Sequence, residues 1–392
     1  MIVFLGMFFL GLFSALLETV GSKNISMLGN VKYKGKYSLD ALLFMFVTLY
    51  MFLIAALRYE TVGDDIKNYV QAFEEINTVQ PDDDGAFERG YFYLNRLFHN
   101  VFGSFYLMQV VIVSFCCCVC YNHIKKHSLL PCFVLFMYIQ RYFITIEMEQ
   151  TRQWLAMSIL ILGWKFIKER SLIKWILIIA LAMQFHTSSL VAFPLYFTTR
   201  IIIKPWLAFL LVIGSVWMTL YGLFMIRPIT SFAVSLGILP TRFTHIINIY
   251  TNTNYGGHAA EQGQFNTGLG YMLNVAIYIF ILILYKMSTK EDKEKCYILN
   301  FCIALILASM GRNFQVFSRL TNYYNIPGLG LSTFALLAKK NRFFKRLDWI
   351  QVIIVCFYLA LLVWTSYENN IGPNSDDGAF RTFLPYRTFL TE

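Results

Sequence analysis

The chain has 392 residues, 57% of them apolar and only 14% charged, with a formal net charge of +10. That composition is too apolar for a soluble domain of this size, so the surplus apolar surface must face lipid. Nor does the positive excess point to nucleic acid, because no basic patch is interleaved with stacking aromatics, and a membrane chain stores such an excess in its cytoplasmic connections.

Apolar windows of about 20 residues predict spans near 2–20, 41–57, 105–123, 129–146, 152–167, 172–186, 188–202, 206–226, 268–286, 296–311, 321–338 and 348–366. The first begins at Ile2 without a basic leader, and no small-residue cleavage site follows it, so it is expected to be a retained span and not a signal peptide. Alternate connections carry Lys23, Lys32, Lys34 and Lys36, then Lys125 and Lys126, then Lys168, Arg170 and Lys174, then Lys204. The series continues with Lys286, Lys290, Lys293 and Lys295, then Lys339, Lys340, Arg342, Lys345 and Arg346. Each group falls where a twelve-span alternation puts the cytoplasm, which places both termini outside.

The other side differs in kind. Residues 58–104 hold nine acidic groups against four basic ones, the character of a loop that crosses to the exterior. Residues 227–267 form a second outer loop and 367–392 an outer tail, all within a single integral membrane domain expected over 1–392. Apolar positions three or four apart predict helices over 65–76 (Ile66, Tyr69, Val70, Phe73) and over 91–102 (Tyr91, Leu94, Leu97, Phe98, Val101, Phe102), both lying in the membrane interface. Asp82-Asp83-Asp84-Gly85 reads first as a turn and helix start, with a divalent-cation site as the sharper alternative. Asp-Asp-Gly-Ala-Phe recurs at 83–87 and 376–380 but does not establish a repeat. The eight cysteines lie in or beside apolar spans and read as small core residues, with a soft-metal site the alternative for the run 116–120.

The outer span ends carry Arg58, Glu147, Glu149, Arg152, His186, Arg312 and Arg319. Singly, such groups can snorkel; together, four guanidinium groups on one side imply an anionic ligand. The offset of three between Glu149 and Arg152 places them on one helical face, either as a local ion pair or with Arg152 turned to a diphosphate. His186, where an apolar helix reaches the boundary, is either a polar tip or a group that accepts a hydroxyl proton or donates to a phosphate. Tyrosines of the outer loops, Tyr91, Tyr93, Tyr250 and Tyr255, either anchor at headgroup depth or stack on sugar faces.

Several of these residues, in order, resemble the signature of EpsG-type, Wzy-like polysaccharide polymerases: Arg58 to Tyr69; Phe87-Glu88-Arg89-Gly90-Tyr91 with Leu94 and Asn95; Arg152-Gln153-x-Leu155-Ala156; and Phe185-His186-x-Ser188-Ser189. Weaker echoes occur at Phe317-Ser318-Arg319 and Tyr323-Tyr324. Family members show Gly-Thr-Asp where this chain has Gly63-Asp64-Asp65, so Asp65 matches the family aspartate. The resemblance implies an all-α polytopic protein of the bacterial inner (cytoplasmic) membrane, with about twelve transmembrane helices, periplasmic interfacial helices and a GT-C-like architecture. It implies an O-antigen or capsule polymerase whose donor and acceptor are both undecaprenyl-diphosphate-linked oligosaccharides, with a chain-length regulator as a candidate partner; no cofactor is expected and no residue is assigned as a metal ligand. On this reading Arg58, Arg152, Arg312 and Arg319 hold the diphosphate; His186, Asp65, Glu88 or Glu149 takes the acceptor proton; and Arg89, Gln153, Tyr91 and Tyr250 contact glycan. An O-antigen ligase and a non-enzymatic lipid-linked oligosaccharide flippase are the alternatives.

Overall fold

The computed structural model describes residues 2–25, 39–63, 65–81, 87–128, 131–235, 297–311, 317, 319–324, 383 and 385–391. They contain no β-strand, and one isolated bridge joins Arg58 to Thr388. The chain divides into two compact units, Met1–Tyr196 with Ser332–Glu392, and Phe197–Leu331.

The first unit contains α1 (Ile2–Ile25), α2 (Leu39–Leu57), α3 (Asp65–Glu74), α4 (Arg89–Phe102), α5 (Phe105–His127), α6 (Pro131–Tyr138), α7 (Thr151–Leu162), α8 (Trp164–Lys168) and α9 (Leu172–Met183). Residues Leu39–Leu57 and Phe105–Lys126 are long and apolar enough to cross a membrane, and shorter apolar helices occupy Ile2–Glu18 and Leu172–Met183. At the centre, every residue of α6 is buried, and this helix packs on α1, α2 and α5. Pro131 stands at its start, where a missing N–H costs nothing. A π-helix, Ile139–Glu149, continues α6 toward the site. Exposed apolar side chains on α2 (Leu42, Met45, Phe46, Leu49, Leu53) and α9 (Ile173, Leu177, Leu181) recur three or four residues apart, as on helices whose outer face meets hydrocarbon.

Helix ends of the first unit meet in two groups. At one end, Glu18 of α1 accepts the Phe133 N–H at the start of α6 (2.9 Å) and Cys132 contacts the Asp40 carbonyl at the start of α2 (3.4 Å). At the other, Gln109 near the start of α5 donates to the carbonyls of Ala56 in the last turn of α2 and of Arg58 just beyond it (2.9 and 3.0 Å). Between α4 and α5 the stop and restart are local: Gly103 takes a left-handed conformation (φ 60°) and its N–H closes on Phe98 and His99, then the Ser104 hydroxyl caps Leu107.

The second unit holds α11 (Pro205–Ser235) packed on α12 (Tyr297–Gly311), with α10 (Leu195–Thr198) straddling the division between units. Helix α11 runs beyond residue 226, where the apolar window ends, to Ser235. The span expected over 188–202 is instead broken into a 3₁₀ turn, Thr187–Ala192, and the single turn α10. Pro194 between them lacks an N–H and cannot return a helical hydrogen bond to Leu190, so an apolar window does not become one helix. The spans expected at 268–286 and 348–366 lie outside the described residues. Five of the six described cysteines are buried, as expected of core residues, and Cys118 is exposed.

Candidate active site

Helix α4 reaches the layer through its own first turn. The Tyr91 N–H donates to the Gln184 carbonyl just after α9 (3.1 Å), so an unsatisfied donor at one helix start meets an unsatisfied acceptor at another helix end. The approach requires Gly90, because a Cβ there would lie 2.7 Å from the Gln184 oxygen. Helix α3 is seated by Glu149, whose carboxylate accepts the Asp65 N–H (3.0 Å), a favourable place for negative charge. Gly63, at φ 109°, brings the chain in beside that carboxylate, where a Cβ would lie 2.9 Å from Glu149 Oε1.

Docked this way, α4 places Glu88 at a junction. Its Oε2 accepts from Arg152 Nη1 at 2.7 Å, while its Oε1 accepts from both the N–H and the hydroxyl of Thr187 at 3.2 Å and lies 3.5 Å from His186 Nδ1. Burial alone would raise this carboxyl, but the His186 imidazole and the Arg152 charge outweigh it and hold Glu88 at about 2, below its ordinary 4.5. The Arg152 guanidinium also faces three aromatic rings, 4.4 Å from the centroid of Phe87, 5.7 Å from Tyr69 and 6.0 Å from Tyr91. Such packing desolvates the cation while its charge is compensated by ring faces. Burial pushes the Tyr69 and Tyr91 phenols above their ordinary value, so both walls are neutral.

Arg58 forms a second, more enclosed cation. It is 1% exposed, its Nη2 donates to the Thr151 hydroxyl at 3.1 Å, and its Nε and Nη1 are buried without acceptors. Thr151 precedes Arg152, and Tyr69 and Tyr91 lie within electrostatic range of both guanidinium groups. A strap from the C-terminal tail fixes the Arg58 backbone: Tyr59 N–H to Arg387 carbonyl (3.0 Å), Phe389 N–H to Leu57 carbonyl (3.2 Å) and Tyr386 hydroxyl to Ile54 carbonyl (2.9 Å). Phe383, fully buried, packs edge-on against Phe4.

A family model, the EpsG family, matches residues 41–388, nearly the full length and including the strap as far as Thr388. The chain belongs to the EpsG family. Together with the apolar helices, that membership makes it a membrane protein of the polysaccharide-polymerase type. No curated protein and no solved structure matches it.

In this EpsG-family chain, the residues singled out from the sequence divide into groups. Arg152, Glu88 and His186 meet directly, with Tyr91 as a wall of the Arg152 pocket. Arg58, Glu149 and Asp65 form the adjoining group, in which Glu149 supplies the main opposing charge felt by Arg58. Gln153 is buried on α7, whereas Arg89 is exposed at the start of α4. Arg319 belongs to the second unit, and Arg312, Tyr250 and Asp82 to Asp84 lie outside the described residues. Among the described residues, no three His, Cys, Asp or Glu side chains gather as metal ligands would. The described ion pair of Arg152 is to Glu88 and not a local one, because Gln150 (φ −93°, ψ 52°) interrupts the helix between Glu149 and Arg152 and removes their common face. Sequence reading named Phe87 only as part of its motif and did not single out Thr151, Thr187 or the tail strap. Thr187 stands in the unassigned position of the Phe185-His186-x-Ser188 motif, the one signal that pointed to it.

Proposed function

We propose that this chain lengthens a polysaccharide by joining undecaprenyl-diphosphate-linked oligosaccharide repeats at the periplasmic face of the bacterial inner membrane, in O-antigen or capsule synthesis. The observation that carries the proposal is the convergence of Arg152, Glu88, His186 and Thr187 from three separate segments at one end of the helical layer. Lysine-rich connections alternate with that end along the sequence, which supports its exoplasmic placement in a twelve-span, GT-C-like body.

The growing chain on its lipid diphosphate is the donor. A hydroxyl of the incoming lipid-linked repeat attacks the anomeric carbon, a new glycosidic C–O bond forms, and the bond to the diphosphate breaks with its electron pair leaving on the phosphate oxygen. Arg152 stabilises that charge with a forked set of donors, and Arg58 adds positive potential from behind. The hydroxyl proton passes to His186. Glu88, held ionised down to about pH 2 and engaged by Arg152, is a weak base, which favours the imidazole over it. Asp65 and Glu149 are placed to seat α3 through the Asp65 N–H.

Purified protein incubated with one defined lipid-linked repeat should give a ladder of longer products, lost with Arg152→Ala or His186→Ala. Normal long chains from both variants would overturn the assignment. Transfer to lipid A core without any ladder would make the chain a ligase.

A further inference from the structure

Glu88 stands at the N-cap position of α4, yet its side chain makes no hydrogen bond to its own helix. The carboxylate lies instead across donors from other segments: Arg152 Nη1 at 2.7 Å, the Thr187 N–H and hydroxyl at 3.2 Å, and His186 Nδ1 at 3.5 Å on the rim. A guanidinium, a main-chain amide, a hydroxyl and an imidazole closing on two oxygens form the donor set of an oxyanion site. Donors remain beyond what a carboxylate engages: Arg152 Nε is buried without an acceptor, as are Nε and Nη1 of Arg58, a residue 1% exposed. A diphosphate carries more oxygens and more charge than a carboxylate and matches such a surplus better.

We infer that the cradle formed by Arg152, Thr187 and His186 is a subsite for one phosphoryl group of the lipid-linked diphosphate, and that Glu88 is its resident stand-in, displaced when the diphosphate binds. The inference rests on the function proposed above and deepens it. It makes Thr187 a ligand-contacting residue and Glu88 a competitor for the cradle instead of the base. Carboxylate and phosphate are both anions, and the Arg152 Nη1, Thr187 N–H and Thr187 hydroxyl that Glu88 occupies cannot serve both, so binding there exchanges one for the other. Because Glu88 immediately precedes α4, the exchange also loosens that helix at its first turn, at the edge of the site the acceptor must reach.

The test uses the full chain in nanodiscs of zwitterionic lipid, titrated with inorganic pyrophosphate and, separately, with a polyprenyl diphosphate. Glu88→Gln keeps the shape of the side chain and removes its charge, and should bind pyrophosphate about tenfold more tightly than the natural chain. Thr187→Val should bind about tenfold more weakly, with Thr187→Ser restoring affinity. Tightening for both probes assigns the cradle to the diphosphate group itself; tightening for the polyprenyl compound alone assigns it to the lipid-borne form. A folded Glu88→Gln protein with unchanged or weaker affinity for both probes overturns the stand-in. Should Glu88→Gln fail to fold, unchanged pyrophosphate affinity in Thr187→Val overturns it equally. Loss of binding in Arg152→Ala without tightening in Glu88→Gln removes only this inference, whereas binding of neither probe to any form removes the proposed function with it.

Discussion

In the first unit Glu18 and Glu88 stand at opposite helix ends and are put to different uses. Glu18, 4% exposed, accepts the Phe133 N–H at 2.9 Å, and so caps the helix that runs through the middle of the unit. Glu88 meets a guanidinium 64 residues away in sequence and an amide and hydroxyl 99 residues away. A capping carboxylate satisfies one backbone donor and needs no cation. A carboxylate that gathers a cation, an imidazole and a hydroxyl from separate helices holds chemistry in place. Burial alone therefore does not mark function here; what distinguishes the Glu88 end is the mixture of donors and the number of segments that supply them.

On that contrast, substitutions at the Glu88 end should cost turnover and those at the Glu18 end should cost only stability. Arg152→Ala should reduce ladder formation by about 10³-fold, the scale of losing a charge-stabilising donor, with the protein still folded by its melting profile. His186→Ala should lose about 10²-fold, as expected for removal of a proton acceptor. Gly90→Ala touches neither group, but its Cβ would meet the Gln184 oxygen at 2.7 Å and shift the start of α4, carrying the Tyr91 wall away from Arg152. A loss of about tenfold in the same assay is expected from so small a displacement. Glu18→Gln should leave the ladder unchanged and lower stability by about 1 kcal/mol in a detergent melt; a lost ladder would erase the distinction between the two ends.

The smallest effect is one of pH. Glu88 has its carboxyl lowered to about 2 from an ordinary 4.5, so its ionised contacts stabilise the fold fully above about pH 4.5 and are lost as pH falls toward 2. The difference in melting temperature between the natural chain and Glu88→Gln should thus be constant from pH 7 to 5 and close below 4.5. A gap that closes near neutrality would show that Glu88 is not held by Arg152 and His186.

Much of the helical layer was legible because apolar windows and three-to-four spacing are local properties, as at α2, α5 and the predicted outer helices α3 and α4. The break at Pro194 was visible as a residue but hidden within a continuous apolar window. Charges were legible as a set and not as pairs. The offset of three between Glu149 and Arg152 suggested a shared helical face, and no pattern revealed that Gln150 ends one helix and begins another. Contacts such as Glu88 with Arg152 arise only when α4 docks on the end of α9, a tertiary event resting on Gly90. Spacing predicted a helix through Tyr91, and the structure adds that its ring faces inward against Tyr69 and Phe87.

The strap over Arg58 has a consequence for biosynthesis. Tyr386 and its acceptor Ile54 are 332 residues apart, and a ribosome adding about 5–20 residues per second needs tens of seconds to travel between them. Throughout that interval the nascent chain inserts the intervening unit, Phe197–Leu331, while the backbone on either side of Arg58 waits for the hydrogen bonds of Arg387 and Phe389. Assembly of the proposed site is thereby deferred until the tail arrives, and a prematurely terminated product lacks the hydrogen bonds that fix the Arg58 backbone.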